Sequence, residues 1–227
     1  SKIFYKNLFL PGSKLNFGEN LLSKNNQEKA ITFISENGYR EERSWRQLNL
    51  NTGKILKFLK KIKIKKGDRI AAYMPNTIET VEAFIATISL GCIWSSCSPD
   101  FGSKGVIERF SQINPKVLFI TDQYFYNGKK IDVLKRLPEI LKSIPSIQSV
   151  VISNYPGKKF VKNKNKNKFK KINLFKWNKL MKTNDEKIDF KKFDFETELA
   201  ILYSSGTTGK PKCICHRSGG VLIQHKK

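Results

Sequence analysis

The chain has 227 residues, 39% of them apolar, and carries 43 Lys and Arg against 19 Asp and Glu, a formal charge of +24. That size and apolar share support a hydrophobic core and exclude a globally disordered chain. No apolar run approaches the roughly 18 residues that a membrane-spanning helix needs, and the opening "SKIFYKNLFLPG" has neither the long apolar stretch nor the small-residue cleavage site of a signal peptide.

From Lys29 onward, strand and helix patterns alternate. "AITFIS" followed by "ENGYREE" predicts a hairpin around an Asn-Gly turn. Ser44 and Gln47 stand at capping-box spacing, and Leu48, Thr52, Ile55, Leu59 and Ile62 recur behind them at helical period. Gly67-Asp68 makes a turn, "RIAAYM" a short strand. Asn76 or Thr77 caps the next helix, with Ile78, Val81, Phe84, Ile85 and Ile88 as its apolar stripe and Gly91 just past its end. "CIWSS" is a strand. Ser103 is expected to cap a helix carrying Val106, Ile107, Phe110 and Ile113, stopped by Asn114-Pro115. "KVLFIT" is a strand, and Ile131, Leu134, Leu137 and Leu141 mark a helix that Pro138 weakens. "QSVVIS" and, much later, "ELAILY" are further strands. Short apolar strands between amphipathic helices predict an α/β fold, a mainly parallel sheet with helices on both faces.

Residues 154–192 break the pattern and are expected to form a Lys/Asn-rich insertion loop. Eleven lysines and no acid lie between Lys158 and Lys182, which leaves +13 spread diffusely over the remainder. The bias is toward Lys rather than Arg, which makes a general compositional habit the simpler account than nucleic-acid recognition. Cys92, Cys97, Cys213 and Cys215 form no C-x-x-C pair, and His216 and His225 do not fall at zinc-ligand spacing with them. Packing cysteines in a reducing compartment, the cytosol, are the expectation.

The strand ending at Tyr203 runs into Ser204, Ser205, Gly206, Thr207, Thr208 and Gly209, then Lys210, Pro211 and Lys212. Glycines let backbone N–H groups approach a ligand, and successive N–H groups form an anion-binding concavity. Hydroxyls add donors and the two lysines add positive charge. Gly206 and Gly209 are three apart with no Ser or Thr after Lys210, so the loop is neither a Walker A loop nor a G-x-G-x-x-G turn.

"YSSGTTGKPK" (203–212) resembles the phosphate-binding signature of the adenylate-forming acyl-CoA synthetases. "FLPGSKLNFGENLL" (9–22) resembles the segment that precedes the main domain in their short-chain members. "LGCIWSSCSPDFG" (90–102), "VIERFSQINPKVLF" (106–119), "YNGKK" (126–130) and "CICHRSGGVLIQH" (213–225) are more similar to the acetoacetate-activating branch than to the acetate-activating one. The resemblance spans nearly everything except the Lys/Asn-rich stretch. It implies that residues 1–28 end an N-terminal segment and that 29–227 begin an AMP-binding domain.

The activity it implies is a two-step ligation with ATP, Mg²⁺, acetoacetate and coenzyme A as small-molecule reactants, through an acyl-adenylate. The implied roles are backbone donors at Gly206, Thr207 and Thr208, hydroxyl donors at Ser204, Ser205, Thr207 and Thr208, and cationic support from Lys210 and Lys212. Lys129 or Lys130 is the implied contact for coenzyme A phosphates, the alternative being a solvated turn leading into a helix. Trp94 and the turn carrying Asp100 follow a strand end, where open α/β sheets place ligands, although a Trp there also suits a core. His216 either approaches the cleft or makes structural hydrogen bonds.

The family's adenine, ribose and hinge motifs and its C-terminal lysine are not found here. With no Met at position 1, the sequence reads as an N-terminal-side piece without a complete catalytic set or metal ligands, expected to make no acyl-CoA alone. Two alternatives stand beside this reading. One is a ligase for another short acid such as acetate or propionate. The other is a nucleic-acid-binding module in residues 158–182, where Phe160, Phe169, Phe175 and Trp177 interleave with lysine.

Overall fold

The computed structural model describes residues 9–36, 38–159, 172–183, 188–204 and 209–227. The turn residue Asn37, the aromatics Phe160 and Phe169, and the loop residues Ser205, Gly206, Thr207 and Thr208 lie outside them. Strand β1 (Lys14–Leu15) and helix α1 (Phe17–Leu21) come first. The buried Asn16 caps α1 by accepting from Glu19 N, and its Nδ2 donates to the carbonyls of Ser89 and Lys191 at 3.0 and 2.9 Å. One side chain thus ties three segments together. The expected hairpin is β2 (Lys29–Ile34) with β3 (Arg40–Ser44), paired antiparallel. Ser44 and Gln47 form the expected capping box at the start of α2 (Trp45–Lys61).

The chain continues through β4 (Arg69–Tyr73), α3 (Ile78–Ser89) and β5 (Ile93–Cys97) to α4 (Ser103–Ile113). Gly91 follows α3 with φ +72, the left-handed value that a C′ glycine supplies. Gly102, not Ser103, occupies the N-cap of α4, and Ser103 is its first helical residue. After β6 (Val117–Thr121), the helix expected from Ile131 gives way to a second hairpin, β7 (Gln123–Tyr126) and β8 (Lys129–Asp132). Asn127 and Gly128, both at positive φ, make its turn. A 3-10 turn (Val133–Arg136) leads into α5 (Leu137–Ser143). Pro138 therefore lies in the first turn of a helix, where its missing N–H costs nothing, and does not weaken one.

After β9 (Ser149–Ser153), the stretch expected to be irregular contributes β10 (Asn173–Lys176) and the single turn α6 (Trp177–Leu180), with Trp177 and Leu180 buried. Phe175 and Trp177 pack against the main core, which removes them from any base-stacking platform. β11 (Phe193–Asp194) pairs with β1, and β12 (Glu198–Ser204), β13 (Lys212–Arg217) and α7 (Ser218–Lys226) complete the described chain. No helix among the described residues is long and apolar enough to cross a membrane.

The main sheet runs β10-β9-β6-β4-β5-β12-β13, parallel throughout except for β13. Period-two alternation sends each strand's side chains to opposite layers. Ile70, Ala72, Trp94, Val117 and Phe119 face one layer with α2 and α3. Ala71, Tyr73, Leu118, Ile120 and Val150 face the other with α4 and α5. Both sides of the central strands are buried, which is why they read as continuous apolar runs. The fold is the expected α/β arrangement, and the carboxyl ends of β4, β5, β6, β9 and β12 open on one edge.

Candidate functional site

The two arms of the Ser/Thr/Gly loop are paired strands. β12 carries the chain in and β13 carries it out, with Ser204 opposite Lys212. Gly209 holds φ +102, a conformation L side chains rarely adopt, so a glycine is required there. Ala200 lies opposite Trp94 on β5. Alternation therefore puts Ser204, Leu202, Lys212 and His216 on the same face as Trp94 and Ser96, and Tyr203 and Cys213 on the other.

On that other face α4 supports both arms. Tyr203 Oη donates to Arg109 O at 3.2 Å, and Ser95 Oγ donates to Ile201 O at 2.8 Å. Burial pushes the Tyr203 phenol pKa up, which keeps its proton available for donation. Gln112 Nε2 donates to Pro211 O at 3.0 Å. The Arg109 guanidinium lies 4.2 Å from the Phe101 ring centroid and 5.8 Å from that of Tyr203.

The turn after β5 is held from beneath. Arg136 Nη1 donates to Pro99 O and Phe101 O at 2.8 and 2.9 Å and also to Tyr73 Oη. Asp100 accepts from Ser98 Oγ at 2.8 Å within the turn. Beside it lies a cavity of about 500 Å³ lined by Asp100, Ser98, Asn76, Tyr124 and Tyr155 among others. Lys129 and Lys130 are exposed on β8, paired with Tyr126 and Phe125 of β7, whose inner part lines this cavity. Glu36 Oε1 accepts from Asn127 N at 2.7 Å and ties the turn of that hairpin to the end of β2.

Trp94 and His216 belong to a second cavity of about 580 Å³, which also takes in Leu202, Val221 and Gln224. Trp94 is buried and packs edge-on to Phe84 at 5.7 Å, so its main role is core packing. Ser96 lines both cavities and connects them across the end of β5. The structure thus groups Ser204, Lys212, His216 and the buried Trp94 on one face of the sheet and sets Asp100 and the Lys129–Lys130 hairpin around the neighbouring cavity.

Arg109, Gln112 and Arg136 carry this framework, and sequence reasoning missed all three. Gln112 stands off the apolar stripe of its helix, and no local signal marks it. All four cysteines are free; Cys92 and Cys97 are buried packing residues, whereas Cys213 and Cys215 are exposed on the edge strand.

Residues 22–227 match the AMP-binding enzyme family. The chain belongs to that family.

Among similar AMP-binding enzymes, acetoacetyl-CoA synthetase from Macaca fascicularis is 37% identical over 95% of this chain and 32% of its own length. The Rhizobium meliloti acetoacetyl-coenzyme A synthetase is 39% identical over 96% of this chain and 33% of its own. Malonamoyl-CoA synthetase from Penicillium aethiopicum is 34% identical over 95% of this chain. The solved structure of acetoacetyl-CoA synthetase from Streptomyces lividans superposes with a TM-score of 0.85 at 30% identity, covering 96% of this chain and 32% of that one. This AMP-binding chain therefore spans about a third of the length of the relatives it matches.

Proposed function

We propose that the chain supplies the phosphate-binding part of an ATP-dependent acid–thiol ligase that converts acetoacetate to acetoacetyl-CoA. The observation that carries this reading is the pairing of Ser204 with Lys212 at the base of "YSSGTTGKPK" in a member of the AMP-binding family. The names of the similar proteins support the choice of acid. In the first step a carboxylate oxygen of acetoacetate attacks the α-phosphorus of ATP and the bond to the β-phosphate oxygen breaks. Negative charge grows on departing pyrophosphate, where fixed donors lower the barrier most. In the second step the thiol of coenzyme A attacks the acyl carbon and AMP leaves.

The roles assigned are backbone and hydroxyl donation to the β- and γ-phosphates by Ser204, Ser205, Gly206, Thr207 and Thr208, with Gly209 permitting the turn. Lys210 and Lys212 balance charge. Mg²⁺ enters as the companion of the ATP phosphates, neutralising charge on them. Lys129 and Lys130 meet coenzyme A phosphates, and Asp100, Trp94 and His216 shape the neighbouring walls. The cytosol, where free thiols such as Cys213 and Cys215 persist, is the location that fits.

The full-length protein tests the reading. ATP–pyrophosphate exchange that depends on acetoacetate, and thioester formation on adding coenzyme A, are expected. Faster exchange with acetate or propionate would move the assignment to another short-chain ligase, and binding of single-stranded nucleic acid without exchange would sink the ligase. The isolated 227 residues are expected to form no thioester.

A further inference from the structure

We infer that the last turn and a half of α4 acts as a clamp that sets the two arms of the phosphate loop, with Gln112 as a positioning residue for the first half-reaction. This inference rests on the proposed ligase activity. Two groups three residues apart on one helix reach the two arms separately. On the incoming arm, Arg109 O accepts from Tyr203 Oη at 3.2 Å. On the outgoing arm, the Gln112 carboxamide bridges two positions: Nε2 donates to Pro211 O at 3.0 Å, and Oε1 lies 3.6 Å from Cys213 Sγ, its donor. The same Nε2 donates to Glu108 O at 2.8 Å within the helix, so the carboxamide is oriented before it meets the loop.

Pro211 has no N–H, so its carbonyl is the backbone group through which a neighbour can hold that position by hydrogen bonding. Gln112 therefore grips the outgoing arm on both sides of Lys212, the residue paired with Ser204. The strand ladder joins the arms to each other, β5 holds the inner end of the incoming arm through Ala200 and the Ser95–Ile201 bond, and α4 holds the ends of both arms nearest the loop. Arg109 also lies over Phe101, so the helix that holds the arms is itself anchored on the turn that carries Asp100. A donor array works only if it stands where charge develops, and a displacement of about 1 Å can cost roughly 10²-fold in rate. A helix that holds both arms reduces such displacement in the groups nearest pyrophosphate, without touching coenzyme A.

The test uses the full-length enzyme with Gln112→Leu, which keeps the bulk and removes both polar contacts to the outgoing arm, and separately Tyr203→Phe, which removes the Oη contacts of the incoming arm to Arg109 O and Ser95 Oγ. ATP–pyrophosphate exchange gives KM for ATP and for pyrophosphate, thioester formation gives KM for coenzyme A, and thermal unfolding gives Tm. Each variant is expected to raise the KM for ATP and pyrophosphate about three- to tenfold, the worth of one net hydrogen bond, with KM for coenzyme A unchanged within about twofold. Unchanged ATP dependence in both variants overturns the clamp alone. An equal rise in all three constants together with a lowered Tm also overturns it, since a merely structural role would act that way. No acid-dependent exchange by the wild type overturns the ligase reading and the clamp with it.

Discussion

Asn51 Nδ2 donates to Glu82 Oε1 over 2.7 Å, joining α2 to α3 through a carboxylate with no exposed surface. Arg43 Nε stands 3.5 Å from the same oxygen, while Arg43 Nη1 is taken by Glu41 at 2.5 Å. Glu79 and Glu41 add negative charge nearby, and Glu82 Oε2 has no hydrogen-bond partner. Burial is the largest influence and pushes the Glu82 pKa up to about 8.

A carboxyl raised in the folded state favours folding when protonated. Its contribution is fully present below the unfolded pKa near 4.5 and is lost as pH rises through about 8. Glu82→Gln keeps the acceptor for Asn51 and removes the titration. The variant is expected to exceed the wild type in stability at pH 8.5 by on the order of 2 kcal/mol, with the gain shrinking toward pH 5. Urea unfolding at the two pH values measures it, and a gain independent of pH would refute the assignment to Glu82.

Gly91 and Phe193 give a prediction about packing. A Cβ on Gly91 would lie 2.7 Å from the Phe193 ring, at a φ of +72. Gly91→Ala is therefore expected to lose about 2–4 kcal/mol through both overpacking and backbone strain. Gly220, in α7, has open space where its Cβ would stand, and Gly220→Ala should gain about 0.5 kcal/mol. Opposite signs in denaturant midpoints are the expected outcome.

Arg136→Met removes the donors that hold Pro99 O, Phe101 O and Tyr73 Oη. Several acceptors left short at the edge of the core should cost about 2–4 kcal/mol. Arg136→Lys should recover only part of that, because an ammonium on a flexible stem does not reproduce the planar fork. Chemical denaturation of the three proteins distinguishes a geometric role from a purely electrostatic one, in which Lys would restore everything.

Exposed on β8, Lys129 and Lys130 offer a direct test of the coenzyme A assignment. The double change to Ala in the full-length enzyme is expected to raise KM for coenzyme A about five- to twentyfold at low salt and to leave KM for ATP unaltered. The difference should narrow above about 0.3 M salt as exposed charges are screened. A KM unaffected at every salt concentration would leave these lysines as solvated residues of a hairpin strand, with no part in holding coenzyme A.

The sheet was legible in the sequence because burial on both sides makes β4, β6 and β9 plain apolar runs. The Ser44–Gln47 capping box and the Gly91 terminator were legible because their chemistry is local. What misled was Ile131 to Leu141, where an apolar spacing compatible with a helix is shared by a strand, a 3-10 turn and a helix in succession. β10 was hidden because an edge strand of four residues, Asn-Leu-Phe-Lys, has too little alternation to register among lysines. The loop proposed to hold phosphate stood out in the sequence through glycines and hydroxyls in one run. Its supports did not, since Gln112 meets Pro211 only through tertiary structure across 99 positions of chain.

The strand order has a kinetic consequence. β4, β5 and β6 are close in sequence and adjacent in the sheet, so they can assemble early at low loop-closure cost. β12 must return to β5 across about a hundred residues, as the Ser95–Ile201 bond with its separation of 106 shows. Closing that loop is entropically expensive before the contacts that reward it exist. The arms at Ser204 and Lys212 can zip together locally as a hairpin, but they acquire a fixed place only when β12 docks. Pulse-labelled hydrogen exchange should find amide protection in β4 and β6 preceding that in β12. On that order of events, the register of Ser204 and Lys212 with the rest of the sheet is among the last things the folding chain acquires.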